Sequence, residues 1–87
     1  MTLDEMQEAL RRGEGTSFEK HVLQLKNKTV ALRIAKFGDE TIAEVAEAGD
    51  ADDYRMDDEI KRWVEPILKG RGPVVLCEGN HRVLHWG

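Results

Sequence analysis

One cysteine, one serine, two prolines and five aromatic residues are all that this 87-residue chain contains of those types, and each shortage excludes something. With Cys77 alone, no intramolecular disulfide can form. A small secreted domain usually needs such staples, so a reducing, cytoplasmic compartment is the expected setting. Ser17, the sole serine, has no base and acid arranged around it in sequence, so no nucleophilic triad is visible. No apolar run approaches the roughly 20 residues of a membrane helix, so no membrane partner is expected. The opening stretch MTLDEMQEALRRGEG carries acids where a signal peptide would be apolar. Gly13-Glu14-Gly15 lacks the third glycine and the preceding strand of a phosphate-cradling loop. Neither a cofactor nor a catalytic set is expected, and the chain reads as a non-enzyme.

What the chain has is charge. Charged residues make up 34% of it and the net is −4. The signs are segregated. Residues 1–10 carry a net −3, 11–37 a net +5, 38–59 a net −9 and 60–87 a net +3. A chain this short suffices for one domain with a thin core.

The elements follow from period and punctuation. Thr2 and Glu5 form a capping-box pattern, and Leu3, Met6 and Leu10 recur at helical spacing, which predicts a helix over 3–12 ended by Gly13. Residues 16–27 are ambiguous. Thr16 with Glu19 repeats the capping pattern and favours a helix with Phe18, Val22 and Leu25 on one face. The rival is a strand with Leu23 and Leu25 inward and a turn at 26–28. From Thr29, alternation of Val30, Leu32 and Ile34 with smaller or polar residues predicts a strand, and 41–45 a returning one across Gly38-Asp39-Glu40. Asp57 is a plausible N-cap for a helix over 58–69 with Ile60, Trp63, Val64 and Ile67 on one stripe, interrupted by Pro66. Residues 74–86 read as a hairpin about a two-residue Gly79-Asn80 turn, which would set Cys77 opposite Arg82 and Val75 opposite Leu84. Trp63 is expected in the core, and Trp86 is expected to pack back on the sheet. The predicted fold class is α+β: a small antiparallel sheet of about four strands in two hairpins, with one or two helices packed on one face.

Four constellations bear on function. Cys77, His81 and His85 are zinc-type ligands on paper, but in a hairpin the two histidines lie about 13 Å apart and the thiol points away, so no metal site is expected. The acids Asp39, Glu40, Glu44, Glu47, Asp50, Asp52, Asp53, Asp57 and Asp58 lack the glycine and terminal glutamate of an EF-hand loop. They are the candidate partner-binding surface, a negative face that steers onto a basic protein. The basic segment 11–37, with Lys20, Lys26, Lys28, Arg33 and Lys36, is the candidate for nucleic acid, through displacement of counterions from phosphates. Finally, Glu78-Gly79-Asn80-His81-Arg82 after an apolar run resembles the Gly-x-His-Arg box of the ParB/sulfiredoxin superfamily. In that family a strand leads into a turn and a helix whose start binds phosphate. The resemblance covers about nine residues and implies phosphate contacts from Asn80, His81 and Arg82. It departs from the family in the few residues that follow the box and in the missing upstream pattern.

The functional expectation is a small protein that binds another macromolecule. The first choice is a protein with a basic surface, bound as an adaptor or inhibitor of the kind bacteriophages carry against host proteins. Nucleic-acid binding through 11–37 and phosphate binding through Gly79–Arg82 are the alternatives. A homodimer is open to it as well, because a short sheet has unpaired edges.

Overall fold

The computed structural model describes residues 1–49, 54–80 and 82–86, with the backbone alone at 82 and 84–86. The order is α1 (Leu3–Arg11), β1 (Thr16–Gln24), β2 (Thr29–Phe37), β3 (Glu40–Glu47), α2 (Asp58–Leu68), β4 (Val74–Glu78) and β5 (Arg82–Trp86). The class is α+β, as expected. Neither helix is long and apolar enough to cross a membrane.

The strands form one sheet in the order β1-β2-β3-β4-β5. It has five strands, because residues 16–24 are a strand and not a helix. Ser17 takes φ +56 and a bulge interrupts the pairing between Thr16 and Glu19, so the apparent capping box never closes. From Lys20 the side chains alternate between exposed and half-buried. The strand pairs along β2 from Glu19 opposite Ile34 to Gln24 opposite Thr29.

The sheet is also not wholly antiparallel. β3 and β4 run parallel, with Thr41 opposite Val74 and Val45 opposite Glu78. The chain returns to the starting end of β3 along α2, the crossover that parallel neighbours require. β3 therefore lies in the middle of the sheet, and six of its eight residues, Thr41–Ala46, are buried.

Both helices start as their sequences dictate. Thr2 accepts from the Glu5 amide at 3.2 Å while its own amide donates to Glu5 at 2.8 Å. Asp57 accepts from the Ile60 amide at 2.9 Å. Helix α2 runs through Pro66 to Leu68. It buries Ile60, Val64 and Leu68 against Val30, Leu32, Ile34, Ala43, Val45, Val74 and Leu76, with Tyr54 and Met56 beside them and Trp63 half-buried at the margin. Helix α1 goes to the other face. There Met6 and Leu10 pack on Ala35 and Ile42, with Leu3, Phe18, Phe37 and Val75 around them. The helices thus cover opposite faces instead of sharing one. Strand pleating explains this, since Ile42 and Val75 point away from Ala43 and Leu76.

The last hairpin differs from its expected register by one residue. Glu78 pairs with Arg82 and Cys77 with Val83, so the loop has three residues, not two. Residues 82–86 are a strand. The helix that the ParB/sulfiredoxin-like box would open is absent there, which removes the structural basis of that resemblance.

Candidate functional site

An open groove of about 750 Å³ lies between α1 and the β2–β3 turn. Met1, Met6, Ala9 and Phe37 give it an apolar lining, and Glu14, Asp39 and Glu40 stand on its rim with Lys36. Methionine suits such a surface, because its unbranched thioether adapts to different partners. Glu14 is held by Arg12 at 2.7 Å, which keeps its carboxyl below the usual carboxylate range. Asp39 and Glu40 are exposed and have no ionic partner among the described residues.

Gly15 shapes the wall. Its φ is +104, and a Cβ there would meet the Ala35 Cβ at 2.8 Å and the Phe37 ring at 2.9 Å. The backbone is positioned where only glycine fits. Gly15→Ala is expected to lower unfolding stability by about 1–3 kcal/mol. Urea melts of the two proteins check this, and an unchanged midpoint would show that β1 can shift without cost.

Among the described residues, the predicted acids lie at two ends of the fold. Asp39 and Glu40 sit at one end of β3 and half-buried Glu47 at the other, about 23 Å away at strand rise. Asp57 caps α2 and lies 3.7 Å from Lys28, and Asp58 is exposed in the first turn of that helix. Asp50, Asp52 and Asp53 lie outside the described residues.

Glu44 is a correction. It is 1% exposed and cannot meet a partner. Its carboxylate accepts from Gln7 at 2.7 Å and from Arg11 Nε at 2.7 Å, a second Arg11 nitrogen lies 2.6 Å away as an ion pair, and Arg33 stands at 3.9 Å. Gln7 also donates to the Gly79 carbonyl at 2.6 Å, and Arg11 donates to Asn80. This cluster fastens α1 to the centre of the sheet and to the β4–β5 turn. It also occupies Asn80, one of the three residues named for phosphate. His81 lies outside the described residues, as does the Arg82 side chain. Gln7 and Arg11 carry no signal in sequence beyond polarity and a helix-end charge, because their partner is more than thirty residues away.

Cys77 lies beside Glu44 in register and is 1% exposed. Burial first, and then the Glu44 charge, push its thiol up to about 11. The other two members of the metal triad, His81 and the His85 side chain, fall outside the described set, as does the packing of Trp86. The native thiol should resist an aromatic disulfide reagent at pH 8 and react only as fast as the protein opens. The linkage has a definite sign. The unfolded thiol ionises near about 8.5, so the folded form holds its proton longer and stability declines as pH rises from there to about 11. Cys77→Val should flatten that alkaline limb; identical limbs would contradict burial as the cause.

The basic set divides too. Lys20 and Arg33 are cross-strand neighbours on the α1 face, Lys26 is exposed in the β1–β2 turn, Lys28 meets Asp57, and Lys36 belongs to the acid-rimmed groove. Compared with known proteins, the chain matches no family model, no curated protein and no solved structure.

Proposed function

We propose that this protein acts by binding another protein, as an adaptor or inhibitor without catalysis of its own. The supporting observation is the groove beside α1, where an adaptable lining of Met1, Met6 and Phe37 adjoins Asp39 and Glu40, which have no ionic partner among the described residues. A basic segment carrying one or two large apolar residues fits that chemistry. The apolar contact supplies affinity, and the carboxylates raise the rate of encounter. Of the acids in the reading, Asp39 and Glu40 are the ones at this groove; Glu47 stands at the far end of β3 and Asp57 and Asp58 at the start of α2, while Asp50, Asp52 and Asp53 lie outside the described residues. Pairing of two copies through the β1 edge is less favoured, since the bulge near Thr16 and the exposed Lys20 blunt that edge.

Site-specific photo-crosslinking tests the reading in a lysate of the native host. A benzophenone amino acid at position 39 should give one discrete adduct, and the same group at Lys61, exposed on α2, should not. Identical adducts from both positions would refute the groove as the contact.

A further inference from the structure

Helix α1 leaves part of its own sheet face open, and that part has the opposite sign. Read across the strands by register, Lys20, Arg33, Glu44, Cys77 and Val83 form one row, and Val22, Ala31 and Ala46 form the next. The two alanines are short, so the second row sinks between its neighbours in a trough of about 370 Å³. Arg11, Lys20 and Arg33 line it, with Glu47 at the rim. Two of the large apolar side chains that are exposed, Val22 at 55% and Val83 at 46%, lie on this face. Helix α1 divides the two grooves: Met6 and Ala9 belong to the first, Arg11 to the second.

Charge decides what would fill the trough. Glu44 is sunk beneath Arg11 and Arg33, so an approaching group meets the cations first. Lys20 is exposed and has no ionic partner among the described residues. We propose that this trough is a second docking site, which takes an acidic segment of a partner protein in extended form. Carboxylates would pair with Lys20 and Arg33, and small apolar side chains would lie on Val22, Ala31 and Ala46. A nucleic acid fits less well. Single strands bind by stacking on exposed aromatics, whereas the large apolar side chains exposed among the described residues are Met1, Val22 and Val83. Two docking sites of opposite sign, one on each flank of α1, are what a bridging adaptor requires. This second site stands on its own lining and does not depend on what the acid-rimmed groove binds.

Fluorescence anisotropy tests it, with a labelled peptide of alternating glutamate and valine as the probe. Saturable binding is expected, stronger at low salt. Lys20→Glu and Val22→Asp should each weaken it by about tenfold or more, equivalent to roughly 1.4 kcal/mol, while Asp39→Lys in the other groove leaves it unchanged. Both altered positions are exposed, so the variants should keep the wild-type circular dichroism. The proposal is overturned by any of four results: no saturable binding, indifference to Lys20→Glu, tighter binding of a thymidine oligonucleotide, or self-association that Lys20→Glu abolishes.

Discussion

Arg11→Met is expected to lower the melting temperature by about 10–20 °C, although Arg11 lies at the surface end of a short helix. The reason is its partner. Glu44 is 1% exposed, and Arg11 supplies its closest cation, at 2.6 Å. Methionine preserves the stem and removes the charge, so the carboxylate keeps only Gln7 and the more distant Arg33. Removing one member of a fully buried pair costs about 3–5 kcal/mol. Arg11 is partly solvated and two donors remain, which brings the expectation to about 2–3 kcal/mol. Glu44→Leu in the Arg11→Met background should recover most of the loss, because no buried charge is then left unpaired. Thermal melts of the two single variants and the double variant close the cycle. If Arg11→Met melted with the wild type, α1 would not be held by this cluster.

The second large effect is at the neighbouring position. Leu10→Ala should cost about 2–4 kcal/mol, since Leu10 is fully buried and the helix cannot collapse far without leaving the sheet. The loss should also be local. Helix α1 is held by a small cluster of Met6, Leu10, Ala35 and Ile42, while α2 and its sheet face form a cluster of twelve buried residues. Opening of α1 alone is therefore the cheaper event. Amide exchange should show α1 losing protection in Leu10→Ala while Ile60, Val64 and Leu68 keep theirs. Both grooves should fail together, because α1 forms a wall of each. Uniform loss of protection would mean that the two faces unfold as one unit and that α1 is no separate element.

The elements that were legible in sequence are those whose signals are local. The Thr2–Glu5 and Asp57 caps, the Val30–Ile34 alternation and the Ile60–Ile67 stripe all act within one helix or one strand, and the structure contains them. Residues 16–24 are ambiguous in sequence because a helical spacing of three apolar residues coincides with a false capping pair. The pairing with β2 that overrides it is a tertiary term. The parallel β3–β4 pair was hidden for the same kind of reason, as nothing in either strand encodes the direction of its neighbour. The site was less visible still. Asp39 and Glu40 were visible as acids, but nothing in the sequence brings Met1, Met6 and Phe37 to their side, and Met6 reads only as part of the apolar stripe of α1. Glu44 looked like surface charge. Its position in the sheet gave no warning, because burying a carboxylate becomes tolerable only with Gln7 and Arg11 delivered by a different element.

An amide chemical-shift map made on adding the protein captured through position 39 addresses the binding claim most directly. Shifts should concentrate at Met6, Ala9, Phe37, Gly38, Asp39 and Glu40, and should diminish in Asp39→Lys. A map centred on Asp57 and Asp58, with the β2–β3 turn unmoved, would contradict it.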